Sequence, residues 1–286
     1  MIFNRYKGIR HLIQRGKIWR KLMYVALKPR VQRSANLGAE GKSLFTQVEI
    51  ETINRCNGTC PFCPVNAHAD TRVRAEMTEE LFHSIVDQLA QMDYKGSVCL
   101  FSNNEPFLDK RIQEFSEYMR EKLPHAFIHL YTNGTLLTVE KVKAIMPYLD
   151  RLIIDNYNDD LELLPSVKPI HELCQQDKEL DQKIHIHLRK LNEVLYTRGG
   201  QSPNNQKKKT FKMPCQIASQ QLIIRPTGLV SLCSNDALGV YTMGDCNTTP
   251  ILDIWYGEKF MEIRRKLAKG RDGLELCEFC DTFSPD

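Results

Sequence analysis

Ten cysteines in 286 residues carry most of the chemistry this chain can do. Cys56, Cys60 and Cys63 stand as C-x3-C-x2-C in the run Cys-Asn-Gly-Thr-Cys-Pro-Phe-Cys. Three thiolates in one short loop can hold three irons of a [4Fe–4S] cube and leave the fourth iron open to another ligand. A zinc site completed by His68, or a buried reduced trio, are the other uses of such a loop. A second set lies near the C-terminus, with Cys215, Gly228 and Cys233 as C-x12-G-x4-C and Cys277 and Cys280 as C-x2-C. Four thiolates split in this way suit a zinc ribbon or an iron–sulfur cluster equally well. Cys246 stands alone in the polar run Met243-Gly244-Asp245-Cys246-Asn247. Cys99 and Cys174 fall on a predicted strand and helix and read as packing residues.

The elements that position these groups follow from hydrophobic periodicity. Strand-like runs occur at 45–53, 97–101, 126–132, 151–155 and 184–189, and helical runs near 78–92, 109–122, 138–148 and 161–178. Thr78 and Thr138 are placed to cap two of the helices. Strands alternating with helices predict parallel pairing through crossover connections. Several strands are apolar on one face only: Glu49 and Glu51 alternate with Val48 and Ile50, His129 and Tyr131 with Ile128 and Leu130, and His185, His187 and Arg189 with Ile184, Ile186 and Leu188. A flat parallel sheet buried on both faces would be apolar throughout. A curved sheet with helices outside and a polar lumen inside accounts for the alternation. The fold class predicted is α/β, a partial (β/α) barrel. The polar stretch 197–210 reads as a long loop or domain junction, runs 221–225 and 229–232 form a hairpin around Pro226-Thr227-Gly228, and a helix follows near 258–268.

Residues 1–35 contain ten Lys or Arg and no acid, whereas the other 251 residues hold 29 basic and 35 acidic side chains. With Ile9, Leu12, Ile13, Trp19, Leu22, Met23, Val25, Ala26 and Leu27 at loosely helical spacing, this arm predicts one or two basic amphipathic helices ending near Pro29. A peripheral contact with an anionic membrane, a contact with a phosphate-bearing substrate, or an ordinary packing helix would each use it. Nothing resembles a nucleic-acid-binding pattern. At 42% hydrophobic and 26% charged residues the chain reads as globular, with no apolar run near the ~18–20 residues of a membrane span. The absence of a signal-peptide pattern predicts a cytoplasmic protein, in which this many cysteines are metal ligands or catalytic thiols rather than a disulfide framework.

The order of these motifs resembles the radical S-adenosylmethionine (radical SAM) superfamily. C-x3-C-x2-C follows the first strand with the aromatic Phe62 before its last cysteine. Ser102-Asn103-Asn104-Glu105-Pro106 stands where that family has Gly-Gly-Glu-Pro, keeping Glu-Pro but replacing both glycines. Thr132-Asn133-Gly134 ends the third strand. The resemblance covers about residues 44–190. It implies that Cys56, Cys60 and Cys63 hold a [4Fe–4S] cluster whose open iron chelates S-adenosylmethionine (SAM). It also implies that Phe62, Asn103, Glu105, Thr132, Asn133, Asp155 and Arg189 contact SAM, with Glu105 accepting from the methionyl amine. Cleavage of SAM then yields a 5′-deoxyadenosyl radical that abstracts a substrate hydrogen atom. The C-terminal cysteines, with Leu252-Asp253-Ile254-Trp255-Tyr256 and Arg264-Arg265, resemble the SPASM/twitch extension. This implies a second [4Fe–4S] cluster on Cys215, Cys233, Cys277 and Cys280, fully ligated and suited to electron transfer; a chain ending six residues after Cys280 suggests the one-cluster twitch form. The segments implied are a basic N-terminal stretch (1–42), a radical SAM partial barrel (43–205) and a twitch domain (206–286).

Within this family the main expectation is an epimerase acting on a carbinol or sugar centre, with Cys246 returning a hydrogen atom to the opposite face. The alternatives are a twitch-type dehydrogenase oxidising an alcohol of a sugar or aminocyclitol, a peptide maturase, and a non-catalytic metal-binding module. Glu49, Glu51, His129, Tyr131, His185 and His187 would line the lumen around a small polar substrate, and a flavodoxin or ferredoxin would supply electrons.

Overall fold

The computed structural model describes residues 1–4, 17–205 and 213–282, with side chains described for 1–3, 25–205 and 213–282. Five strands follow the predicted alternation: β2 (Gln47–Ile50), β3 (Ser97–Cys99), β4 (Phe127–Thr132), β5 (Arg151–Tyr157) and β6 (Ile184–Arg189). Each pairs in parallel with the next. Helices α2 (Glu79–Gln91), α3 (Ile112–Lys122), α4 (Val139–Ile145), α5 (Lys168–Gln176) and α6 (Lys178–Lys183) supply the crossovers. One sheet face (Val48, Ile50, Val98, Leu100, Ile128, Leu130, Leu152, Ile154, Ile184, Ile186) is fully buried in the core shared with Phe82, Ile85 and Leu89 of α2, Phe115 and Met119 of α3, Val142 of α4 and Ile170 of α5. Burying one such side chain contributes about 1.5–3 kcal/mol. Thr78 and Thr138 cap their helices by accepting from the Leu81 and Lys141 N–H groups, each at 3.2 Å. The fold is the α/β partial barrel, with its apolar face outward toward the helices and its polar face inward.

The structure departs from the predicted elements in three places here. Residues 161–167 are not helical, because buried Asn156 donates to Glu162 O (2.9 Å) and accepts from Leu164 N (2.8 Å), holding the chain as a loop. Residues Ile2–Asn4 form a strand, β1, parallel to β6 at the barrel edge, so the N-terminal segment is not helical throughout. Met1 anchors it: its amine lies 2.7 Å from Asp181 Oδ1. The helix that follows, α1 (Lys17–Ala39), does not end near Pro29 but runs ten residues past it. Its second half is held by packing: Val31, Ala35 and Gly38 are buried, and Gln32 donates to Ala268 O at 2.9 Å. The sequence-predicted helical residues Ile9, Leu12 and Ile13 lie outside the described residues.

After residue 213 the chain re-enters the same sheet. β7 (Gln221–Ile224) pairs in parallel with β2, and β8 (Leu229–Ser231) and β9 (Thr242–Asp245) continue antiparallel. The order is β1-β6-β5-β4-β3-β2-β7-β8-β9. The turn before β8 depends on Gly228, whose φ is +83°. β9 has no strand-like signature because Gly244 interrupts it. That glycine is required by close packing, since a Cβ there would stand 2.7 Å from Ile254 on α7 (Ile251–Trp255). α8 (Glu258–Lys269) closes the unit against α1.

Candidate functional site

The first cysteine set lies in the loop leaving β2. Buried Asn66 organises it by donating to Cys60 O (3.1 Å) and Cys63 O (2.7 Å), and Cys63 N–H donates to Cys60 O (3.0 Å). A Cβ on Gly58 would stand 3.3 Å from Cys56 Sγ and 3.8 Å from Cys60 Sγ, so the loop folds back on its own sulfurs. Burial pushes the Cys56 and Cys60 thiols up to about 12, and the charge of Cys63 adds to both. The three sulfurs therefore share one electrostatic environment. His68 is exposed. Phe62 is buried with its ring 5.6 Å from that of Tyr157.

The strand tips converge beside this loop. Glu105, 1% exposed, accepts from Thr132 Oγ1 (2.7 Å) and Phe107 N (3.2 Å) at Oε1 and from Asn133 N (2.8 Å) at Oε2. Burial raises its pKa, and these three donors oppose the rise. The Asn133 side chain reaches back to Asn57 Oδ1 at 2.8 Å. Asn103 accepts from Arg72 at its carbonyl (2.9 Å) and from Arg198 at its side chain. Arg198 donates also to Ser234 O at 2.8 Å, so one guanidinium joins the β3 tip to the C-terminal unit. Asp155 stands 3.3 Å from His187 Nδ1 and 3.4 Å from Arg189. Burial alone would raise its carboxyl, but His187 and Arg189 hold it below the usual carboxylate range. Arg189 is further bound by Glu193 at 3.2 Å and lies over the Tyr157 ring at 5.3 Å.

The inner sheet face forms a graded polar wall. Register aligns Glu49, Cys99, His129 and Arg151 in one row and Tyr131, Ile153 and His185 in the next; Asp155 with His187 and Tyr157 with Arg189 follow. The six predicted lumen residues thus share a face, at different heights. Cys99, read from sequence as packing, belongs to this wall, next to Glu49. Burial raises Glu49 and Glu51 from 4.5 to about 7, against opposing Ser102 and Arg198 for Glu49 and Arg72 (3.0 Å) for Glu51. Glu49 Oε1 accepts from Gln47 at 2.8 Å, whereas Oε2 is buried with no well-formed hydrogen bond, Ser102 being the side chain that acts most on the carboxyl. Burial lowers His129 to about 4, so it is neutral at pH 7, and Nδ1 lies 3.1 Å from Ser97 Oγ. Phe3 of β1 covers His185 and His187 at 5.2 and 5.4 Å, and Phe101 faces Tyr131 at 5.4 Å. Sequence reasoning missed Phe3, Phe101, Arg72 and Tyr157. Of these only Phe101 lay in a predicted strand, the run 97–101.

The four C-terminal thiols are gathered from distant segments and all are buried. The charge of Cys280, Cys277 and Cys215 acts on Cys233, and that of Cys215 and Cys280 on Cys277, after the dominant effect of burial. The loop at Thr197–Ser202 ties this set to the barrel: Thr197 Oγ1 donates to Phe279 O (2.6 Å), and Gln201 Oε1 accepts from Ala237 N (3.0 Å). Among the described residues no three His, Cys, Asp or Glu side chains close around a single metal ion. A cube takes each thiolate at a different corner iron and so holds its ligands farther apart than one ion does. Two all-thiol sets, each electrostatically coupled within itself, fit two cubes. Cys246 is in neither set. It is buried in the apolar core, its thiol pushed up to about 12 by burial and then by Asp245.

Comparison with known proteins agrees with this geometry. The profile of the Radical SAM superfamily matches residues 50–173, and that of the SPASM iron–sulfur cluster-binding domain matches residues 215–281. The chain belongs to the radical SAM superfamily and carries a C-terminal SPASM/twitch domain. It is an enzyme whose cofactors are SAM and two [4Fe–4S] clusters. It is 28% identical over 243 residues to an S-adenosyl-L-methionine-dependent 2-deoxy-scyllo-inosamine dehydrogenase from Niallia circulans, covering 84% of this chain and 94% of that one. The crystal structure of BtrN in complex with AdoMet and 2-DOIA superposes with a TM-score of 0.72 at 26% identity, again over 84% and 94% of the two chains. SuiB from Streptococcus suis bound to S-adenosylmethionine shares the fold at 14% identity, with a TM-score of 0.57 over 90% of this chain and 78% of that one. Among the described residues no helix is long and apolar enough to cross a membrane.

Proposed function

We propose that this enzyme is a radical SAM dehydrogenase that oxidises a secondary alcohol of a small polar substrate, of the aminocyclitol or sugar class, to a ketone. The observation that carries this reading is the similarity to a 2-deoxy-scyllo-inosamine dehydrogenase over 84% of this chain and 94% of that protein's length. Cys246 supports it from the other side. An epimerase needs a thiol presented to the substrate, whereas Cys246 is buried just past β9, the edge strand three places from β2. Dehydrogenation therefore replaces epimerisation as the favoured reaction.

When bound, SAM and its cluster supply a 5′-deoxyadenosyl radical that takes one hydrogen atom from the carbinol carbon, and the auxiliary cluster supplies an acceptor for one electron. The remaining change is loss of the hydroxyl proton, which turns the carbon–oxygen single bond into a carbonyl. Glu49 is the group to take that proton. Its Oε2 lies buried on the lumen wall with no well-formed hydrogen bond, and its pKa of about 7 suits a base at neutral pH. Arg189 and Asp155, fixed by their mutual ion pair and by His187 and Glu193, orient the cofactor's polar end at the strand tips. Phe62, Asn103, Glu105, Thr132 and Asn133 shape the methionyl side. Glu51, His129, Tyr131, His185 and His187 orient substrate hydroxyls, while Phe3 packs on the two histidines and Phe101 on Tyr131. A flavodoxin or ferredoxin delivers the activating electron. The exposed Lys28, Arg30 and Arg33 of α1 give a peripheral contact with an anionic membrane.

The test is anaerobic turnover of the reconstituted enzyme with SAM, dithionite and 2-deoxy-scyllo-inosamine or related cyclitols in D2O. Ketone formed in step with 5′-deoxyadenosine, with no deuterium at the carbinol carbon of the recovered alcohol, is the expected result. An inverted alcohol carrying solvent deuterium would return the epimerase.

A further inference from the structure

Arg271 lies in the chain between α8 and the Cys277–Cys280 pair, yet it is among the most buried side chains of the protein, at 2% exposure. Its guanidinium donates to three carbonyls: Met213 O at 3.1 Å, Cys280 O at 2.7 Å and Thr282 O at 2.6 Å. One of these belongs to a ligand and the other two lie two residues from ligands. No carboxylate pairs with it by ion-pair distance among the described residues. The charges that act on it are the thiols of Cys215, Cys280 and Cys277. A full positive charge in a dry region costs several kcal/mol unless it is compensated, and carbonyl dipoles alone do not neutralise it. Thiolates carrying a cluster at Cys215, Cys277 and Cys280 would supply that compensation.

One opposing charge is built into the same unit. Asp236 is 1% exposed, accepts from Val240 N (2.7 Å) and Tyr241 N (2.8 Å), and acts on the Cys233 and Cys277 thiols. The auxiliary site thus has a buried guanidinium that acts on Cys215, Cys277 and Cys280 and a buried carboxyl that acts on Cys233 and Cys277.

We infer that Arg271 is a positioning residue that sets the reduction potential of the auxiliary cluster upward, and so equips that cluster to accept the substrate's electron. Reduction adds one negative charge to a cluster, and a fixed guanidinium beside its thiolates stabilises the reduced form more than the oxidised one; charge and hydrogen bonding around the sulfurs are among the levers on such potentials. The Asp236 carboxylate acts in the opposite sense. The electron-acceptor role rests on the dehydrogenase reading; the effect on potential does not.

The test is an EPR-monitored redox titration of the anaerobically reconstituted full chain with SAM added, which distinguishes the signals of the two clusters. Arg271→Gln lowers the auxiliary midpoint by the equivalent of at least a tenfold change in the electron-transfer equilibrium, about 59 mV for one electron. Arg271→Lys, which keeps the charge, retains most of the wild-type midpoint, and the SAM-cluster midpoint stays unchanged in both. Equal shifts in Gln and Lys variants, or no shift in either, overturn the inference, because a merely structural arginine is not rescued by charge. If Arg271→Gln fails to hold its auxiliary iron, Arg271→His decides: an auxiliary midpoint that falls as pH rises through the imidazole range, beyond any pH dependence of wild type, supports electrostatic control, and a midpoint with the wild-type pH dependence overturns it. Shifted potentials with no ketone from wild type would count against the dehydrogenase reading alone.

Discussion

Glu105 Oε2 accepts a 2.8 Å hydrogen bond from the backbone N–H of Asn133. This single contact locks the loop after β3 to the tip of β4. It is reinforced at Oε1 by the Thr132 hydroxyl, at 2.7 Å. A buried carboxylate with three donors is rigid, and it keeps the rest of its lone-pair capacity for a ligand.

Thr132→Val removes one of those donors while keeping the volume. The unmet acceptor costs about 1.5–3 kcal/mol, as for hydrogen bonds to charged groups. Chemical denaturation should show that loss, and equilibrium dialysis should show weaker SAM binding. An unchanged denaturation midpoint would remove the assigned role of the hydroxyl.

Iron content separates the two cysteine sets. The reconstituted chain should hold about eight irons, as two four-iron cubes require. The Cys56→Ala/Cys60→Ala/Cys63→Ala variant should hold about four, and so should a variant lacking Cys215, Cys233, Cys277 and Cys280. Full iron in either variant contradicts the ligand assignment.

Glu49 governs both activity and pH-dependent stability. Ionised above about pH 7, it gives ketone formation a rising limb near that pH. Glu49→Gln should lose the limb and slow turnover by about 10²–10⁴-fold. Its folded pKa lies above the unfolded value, so the folded state favours the protonated form. Its stabilising effect is complete below about pH 4.5 and is lost as pH rises to about 7, a change on the order of 3 kcal/mol. Urea midpoints at pH 5 and 7.5 should therefore differ less in Glu49→Gln than in wild type. Glu51 retains the remainder, being raised in the same way.

Cys246→Ala should keep full iron and form ketone at a rate within about twofold of wild type, with a packing loss of about 1 kcal/mol. A variant that stalls after one turnover, or that releases a different isomer, would restore the thiol as hydrogen donor.

Replacing the exposed Lys28, Arg30 and Arg33 with Glu should abolish co-sedimentation with phosphatidylserine-containing vesicles, since each basic residue near an anionic surface contributes about 1 kcal/mol. Equal sedimentation of wild type and variant would end the membrane proposal.

Much of this protein is legible in its sequence because the relevant signals are local. A thiol loop needs three cysteines within eight residues, helix caps need a Thr at one position, and a barrel wall needs alternation with period two; Cys56–Cys63, Thr78, Thr138 and the runs through β2, β4 and β6 all carry those signals. What tertiary structure alone decided involves partners distant along the chain. Pro29 sits inside a helix because Val31, Ala35 and Gln32 find α8 some 230 residues on. Gly244 lies in a strand because Ile254 packs where its Cβ would be. Cys99 lines the lumen because parallel register sets it beside Glu49. Cys246 is a core residue although its neighbours in sequence are polar. The cysteines declare which atoms can do chemistry, through residue type and spacing. Packing decides which of them face the lumen and which charge stands behind them, because burial and register depend on contacts that no local pattern encodes.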